Sequence, residues 1–234
     1  MLEVRAIESG YGEVNVLWGV DLLVDQGELV ALIGANGVGK STLLKTISGL
    51  ISPRKGNINF RGESLMGKTC EKIVDLGVSQ IPEGRQLFAG LTVKENLKMG
   101  GFLRRDVGAI SHDMEWVFGL FPVLKARANQ LAGTLSGGEQ QMCAIGRGLM
   151  ARPKLLIIDE LSLGLAPVVA EQLLEVIAKI HKEGLTLLVV EQDVQSILEI
   201  CSKGYVMEMG RVVLEGSGFE LLKNVHVRSA YLGL

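Results

Sequence analysis

Cysteine and histidine are both scarce in this chain, three of each in 234 residues. Cys70, Cys143 and Cys201 stand at no disulfide or metal-ligand spacing, so they read as small hydrophobes of a reducing compartment. His112, His181 and His226 lie off every motif and share no ligand spacing, so they read as surface residues. An excess of one charge is also missing. The 24 basic and 26 acidic residues leave a net charge of −2, which removes any global electrostatic case for nucleic acid. Apolar residues make up 47% of the chain, yet no run of them approaches the roughly 18–20 residues that span a bilayer. The apolar content is broken into short segments instead. Residues 155–158 and 185–190 read as parallel strands buried on both faces. No leader is expected, because Met1-Leu-Glu-Val-Arg5 already has a strand pattern. There is no internal repeat, low-complexity tract or linker, and the length suits one large domain or a domain with a small lobe.

The pattern changes twice along the chain. Residues 1–30 alternate apolar and polar around Gly10, Gly12 and Gly27, which predicts an antiparallel sheet. A buried strand at 29–33 leads through a glycine-rich loop into a helix over 40–48. A strand near 57–60, a helix near 69–76 and a strand at 78–81 follow. From about 91 to 150 the pattern is helical. Thr92 opens one helix with a capping box, 112–121 forms a second, and a third runs from Ser136 to about Met150. Strands at 155–158 and 185–190 then alternate with helices at 168–182 and 192–201. A hairpin of 205–209 and 212–215 and a short helix at 218–224 complete the pattern. Such an order predicts an α/β protein with a parallel core and a helical lobe inserted in its middle.

Three motifs carry chemistry. Gly34-Ala-Asn36-Gly37-Val-Gly39-Lys40-Ser41-Thr42 follows a hydrophobic strand and opens a helix, the context a phosphate-binding loop requires. Its glycines let backbone N–H groups converge on phosphate oxygens, and the helix N-terminus adds partial positive charge. Lys40 is placed to reach the β- and γ-phosphates and Ser41 to hold Mg²⁺. Asp159 and Glu160 end a buried strand, at the sheet edge where α/β proteins bind ligands. Asp159 suits Mg²⁺, directly or through water, and Glu160 suits polarising the water that attacks a γ-phosphate. The third motif, Ser136-Gly137-Gly138-Glu139, is a capping box. Two glycines in its first turn cost about 1 kcal/mol each relative to alanine. A cap needs no such cost, whereas close approach of a phosphate to the backbone does.

These motifs, in this order and at these separations, resemble the nucleotide-binding subunit of an ABC transporter over essentially the whole chain. The resemblance implies a P-loop NTPase fold of the ABC type. That fold has a RecA-like parallel core, an N-terminal antiparallel β subdomain and an inserted helical subdomain at about 91–150, all within one ATPase domain, 1–234. It implies ATP and Mg²⁺. It also implies a sandwich, in which the signature residues Ser136 to Glu139 of one subunit complete the site on the phosphate loop of another. Tyr11 matches the aromatic that stacks on adenine. A transmembrane permease is the implied partner, which would hold the chain on the cytoplasmic face of a membrane.

Further segments resemble the ATP-binding subunits of branched-chain amino-acid importers: Ile81–Arg85, Leu91–Leu97, Ser162–Pro167, Val190–Gln192 and Ala230–Gly233. A urea importer ATPase is a close alternative, and a soluble non-transport ABC ATPase a more distant one. The importer family uses two different ATPases, which implies a heterodimer with a paralogue in the cell and leaves self-pairing open in isolation. Three positions depart from the general ABC pattern. Glu83 falls where a Mg²⁺-sensing glutamine is usual, with Gln80 nearby but out of register. Gln192 replaces the histidine that contacts the γ-phosphate. Gln192 donates a hydrogen bond but carries no proton charge, which leaves Glu160 as the base. Leu161 stands where a proline usually follows the catalytic acid, an exchange expected to loosen Glu160. Arg85 and Arg147 are expected to anchor loops or helices.

Overall fold

The structure, a computed structural model, describes residues 1–232. Of the Ala230–Gly233 segment, Gly233 therefore lies outside the described residues. The chain opens with β1 (Leu2–Tyr11), β2 (Val14–Val24) and β3 (Leu29–Ile33), then α1 (Lys40–Ile47). Next come β4 (Lys55–Phe60), β5 (Glu63–Ser64), α2 (Cys70–Leu76) and β6 (Val78–Ile81). Four helices follow without an intervening strand: α3 (Val93–Gly100), α4 (Val107–Leu120), α5 (Pro122–Ala126) and α6 (Gly137–Met150). The last third holds β7 (Leu155–Asp159), α7 (Pro167–Lys182), β8 (Thr186–Val190), α8 (Val194–Ile200), β9 (Lys203–Glu208) and β10 (Arg211–Gly216). Helices α9 (Gly218–Lys223) and α10 (Val225–Val227) then lead into a π-helical turn over Arg228–Leu232.

Two sheets form. One is antiparallel, in the order β2-β1-β4-β5. The other runs β10-β9-β3-β8-β7-β6, parallel except for β10 at its edge. Central strands of the parallel sheet show no apolar–polar alternation because both of their faces are covered. Leu29, Ala31 and Ile33 of β3 pack into a core with Leu156, Ile158, Leu187, Val189 and the lobe helices. Val30 and Leu32 point the other way, into a second core with Leu155, Ile157, Leu188, Val190, α1 and the antiparallel sheet. The two sheets are also tied by polar contacts. Tyr205 on β9 accepts from the N–H of Leu23 on β2 and donates to its carbonyl, both at 3.0 Å. Ser9 on β1 meets Thr46 on α1 hydroxyl to hydroxyl, also at 3.0 Å, in a buried contact.

The structure departs from the sequence reading at a few places. Helix α4 begins at Val107 rather than at His112. Asp106 precedes it, but its carboxylate is held by Arg104 at 2.8 and 3.0 Å and makes no cap bond. Short elements β5, α5 and α10 were not expected. Helix α8 starts at Val194 on an Asp193 cap, two residues later than the pattern placed it.

The lobe joins the core through Asn96, which is fully buried on α3. Its side-chain oxygen accepts from the N–H of Phe88 at 2.9 Å, and its amide donates to the carbonyls of Phe88, Thr92 and Leu91 at 3.0, 3.0 and 3.3 Å. Asn96→Ala removes all four bonds at once. It should lower unfolding stability by about 1–3 kcal/mol through the unpaired backbone groups it leaves, read as a lower denaturant midpoint at unchanged slope.

Candidate functional site

The phosphate loop hangs from the carboxyl end of β3. Gly34 has φ +153°, and a Cβ there would sit 2.3 Å from the carbonyl oxygen of Met207. Gly39, the residue before α1, has φ +109°, and a Cβ there would come within 2.9 Å of Leu17. Both positions therefore need glycine, for backbone conformation and for space. Lys40 lies almost fully buried inside the loop, and its Nζ donates to the carbonyls of Gly34 at 2.7 Å and Ala35 at 2.9 Å. Burial pulls its pKa below the usual lysine range, while the carboxylates of Glu160, Asp159 and Glu83 oppose that.

The acidic pair emerges from β7 beside it. Asp159 is nearly fully buried, and the Ser41 hydroxyl donates to it at 3.2 Å. Burial raises its pKa, and the Ser41 bond works in the other direction. Glu160 is a non-glycine residue at φ +64°, a conformation that costs about 1–3 kcal/mol and persists only where the surroundings impose it. Its N–H donates to the Val190 carbonyl at 3.1 Å, and its carbonyl accepts from Gln141 at 3.4 Å. Its carboxylate accepts from the Gln192 amide at 2.5 Å. Burial raises the Glu160 pKa above the ordinary carboxylate range, and the Gln192 bond offsets part of that shift.

Lys40, Ser41, Glu160 and Gln192 line one cavity of about 470 Å³, together with Tyr11, Asn36, Gly37, Gly39, Thr42 and Glu83, while Asp159 lies behind its wall, bonded to Ser41. Tyr11 stands half-exposed at its rim, at the end of β1. The Arg54 guanidinium holds the turn after it by donating to the carbonyl of Gly12 and to the side chain of Asn15. Gln80, three residues before Glu83, does not reach this cavity and faces a groove between the sheet and the lobe instead. Ser41, Asp159 and Glu83 supply hard oxygen donors at the mouth of the loop, a set that suits Mg²⁺ shared with phosphate oxygens.

The signature residues stand apart from this cavity. Ser136 and Glu139 form the expected capping box: the Ser136 N–H donates to Glu139 at 2.9 Å, and the Glu139 N–H donates back to the Ser136 hydroxyl at 3.4 Å. Arg127 pairs with Glu139 at 2.9 Å. Gly138 also has a reason inside the chain: a Cβ there would sit 2.5 Å from Val169 on α7, whereas one on Gly137 would meet only the movable end of the Arg85 side chain at 3.2 Å.

Arg147 anchors as expected, while the Arg85 side chain makes one longer contact, donating to Gln140 at 3.4 Å. Arg147 on α6 donates to the carbonyls of Gln86 at 2.8 Å and Arg85 at 3.1 Å, and its guanidinium lies 5.6 Å from the centre of the Phe88 ring. His112 and His226 are exposed, the latter paired with Glu208 at 2.6 Å. His181 corrects the surface reading, since it is half-buried and its Nδ1 is enclosed without a partner. All three cysteines are free thiols, and burial pushes Cys143 and Cys201 up to about 11, which keeps them protonated.

Sequence reasoning missed one polar group at the centre of this arrangement. Glu191, between β8 and Gln192, is 1% exposed and accepts hydrogen bonds from the loop after β7 and from the loop after β8. Leu161 is fully buried, and its N–H is one of those donors, at 3.1 Å. A proline there would have no such group.

Comparison with known proteins agrees with this geometry. The family described as "ABC transporter" matches residues 17–162. A high-affinity branched-chain amino acid transport ATP-binding protein, BraG of Pseudomonas aeruginosa, is 47% identical, with 100% of each chain covered. A probable branched-chain amino acid transport ATP-binding protein, LivF of Archaeoglobus fulgidus, is 35% identical over 100% of this chain and 99% of its own. A nucleotide-free ATP-binding cassette from an ABC transporter superposes with a TM-score of 0.88 at 27% identity, covering 99% of this chain and 97% of that one. The phosphate loop, the acidic strand end and the capped signature helix thus belong to a member of the ABC transporter family, an ATP-binding subunit of the kind that hydrolyses ATP to drive transport.

Proposed function

We propose that this chain is the ATPase of an importer for branched-chain amino acids, and that residues 1–234 act as one ABC ATPase domain with the 91–150 helices as its lobe. The observation that carries the reading of the site is the Glu160–Gln192 contact, which lines the same cavity as Lys40 and as Ser41, itself bonded to the buried Asp159. The cargo follows from the full-length likeness to BraG and from the segments that resemble that importer family.

The chemistry is phosphoryl transfer to water. Tyr11 stacks on the adenine. Backbone N–H groups from Gly34 to Thr42, with Asn36, Gly37 and Gly39 among them, cradle the phosphates, and Lys40 turns from its carbonyl partners to the β- and γ-oxygens. Ser41 and Asp159, with Glu83 beside them, would hold Mg²⁺, which neutralises charge on the phosphates when bound. Glu160 accepts the proton of the attacking water, and its raised pKa brings it nearer the operating pH. Gln192 aims the Glu160 carboxylate and has an N–H left for the γ-phosphate.

The signature residues Ser136, Gly137, Gly138 and Glu139 lie away from the cavity of their own chain, which supports a second ATPase subunit supplying them in trans. The partner in the cell is a paralogue, and a second copy of this chain serves in isolation. A permease docks in the groove between sheet and lobe. That groove is lined by Gln86, Phe88, Met99, Phe102 and Arg147, and Phe102 is 75% exposed there. Among the described residues no helix is long and apolar enough to cross a membrane. The reading therefore places the chain on the cytoplasmic face, held by permease subunits.

Three outcomes test this reading. Hydrolysis per subunit should rise with protein concentration, and Glu160→Gln should lower kcat about 10²–10⁴-fold while MgATP binding persists; a mutant that still turns over would remove Glu160 as base. Because the Gln192 bond lowers the Glu160 pKa, Gln192→Ala should raise it further. Glu160 must be ionised to act, so the acid limb of the kcat–pH profile should move to higher pH, and a limb that stays put counts against the contact. Phe102→Glu should reduce co-purification with permease subunits, measured as pulled-down permease per ATPase.

A further inference from the structure

The Glu191 carboxylate is spent entirely on the backbone and one hydroxyl of two loops. Its Oε2 accepts from the N–H groups of Leu161 and Ser162, both at 3.1 Å. Its Oε1 accepts from the Ser162 hydroxyl at 2.5 Å and from the N–H groups of Gln192 at 3.1 Å and Asp193 at 3.3 Å. A carboxylate this deeply buried is tolerated only when donors saturate it. Here the donors come in two sets, one from the loop after β7 and one from the loop after β8. They flank the two residues that must face each other, since Glu160 immediately precedes Leu161 and Gln192 immediately follows Glu191. Glu191 itself does not line the nucleotide cavity.

We propose that Glu191 is a positioning residue for hydrolysis: by clamping the backbone of Leu161, Ser162 and Gln192 it sets the Glu160 carboxylate against the Gln192 amide and holds Glu160 in its left-handed conformation. The proposal rests on the reading of Glu160 as base. In this chain the leucine at 161 strengthens the clamp with an N–H that a proline lacks, opposite in sign to the loosening expected from sequence.

The test uses the full chain and its variants Glu191→Gln, Ser162→Ala, Leu161→Pro and Glu160→Gln. Amide hydrogen exchange is followed by mass spectrometry, and steady-state hydrolysis is measured in whichever dimer turns over, with itself or with the paralogous subunit. Glu191→Gln turns an amide NH2 against donors. It should speed exchange about tenfold in peptides spanning 160–163 and 191–194 and lower kcat by a similar factor, the scale of one charge-assisted hydrogen bond. KM for MgATP should stay within about twofold, because groups that bind ground state and transition state alike are untouched. Ser162→Ala, a milder change that keeps the fold if Glu191→Gln does not, should shift both readouts the same way by about threefold. Leu161→Pro should lower kcat; a rise overturns the role given to the Leu161 N–H. Unchanged exchange at the two loops, unchanged kcat, or faster exchange across the whole chain with KM and kcat moving together overturns the clamp. If Glu160→Gln stays active, the base assignment falls instead, and exchange at the two loops still decides whether Glu191 holds them.

Discussion

Ile33, Asp159 and Val190 end three neighbouring strands of one parallel sheet, and the register between those strands sets where the phosphate loop, Asp159, Glu160 and Gln192 stand. Leu32 pairs with Val190, and Val190 with Asp159. The chain leaves the sheet at Glu160 and Glu191, one step beyond these pairs, and at Gly34, two steps beyond. Three loops therefore emerge side by side on the carboxyl edge, and the phosphate loop, Glu160 and Gln192 meet without any long-range fitting. A slip of one residue in any of these strands would turn its buried side chains to the opposite core. Both faces are packed, Leu156 and Ile158 on one and Leu155 and Ile157 on the other. The apolar core thus fixes the register, and the register fixes the site.

The same burial creates the electrostatic character of that edge. Lys40, Asp159 and Glu160 are each drawn toward their neutral forms by desolvation, and each is held back by the others' charges or by a hydrogen bond. Under the proposed function, such a set suits a ligand that brings negative phosphate oxygens for the lysine together with a divalent cation for the carboxylates. Glu191 represents the other solution to burial. It gathers five donors and has no acceptor capacity directed at the cavity.

Local signals were legible in the sequence. The phosphate loop, the capping boxes at Thr92 and Ser136 and the acidic strand end each lie within a few consecutive residues, and local geometry follows from residue type at that range. What escaped was relational. Glu191 reads as one more acid after a strand, because its partners Leu161 and Ser162 are about thirty positions away and meet it only across the sheet edge. Gly138 reads as a phosphate-approach glycine, because nothing in the chain order shows that Val169 packs against it. The start of α4 is signalled in the sequence by Asp106, ahead of the expected His112, although in the fold that carboxylate goes to Arg104 and makes no cap bond. Leu161 was weighed by backbone stiffness alone, although its N–H is the group the fold uses.

The segment from Glu83 to Phe88 links the nucleotide cavity to the groove beside the lobe. Glu83 lines the first and Phe88 the second, and between them Arg85 and Gln86 both take positive φ. So tight a course leaves the backbone little freedom of its own. It is pinned from the lobe side by Arg147 on the carbonyls of Arg85 and Gln86 and by Asn96 on both backbone groups of Phe88. Those bonds connect the segment to α3 and α6, the helices that carry the two side chains, and α6 begins at the signature glycines. Under the proposed function, a change at the phosphates of one site would reach the groove and the signature surface as one movement, because the same short segment is bonded to both.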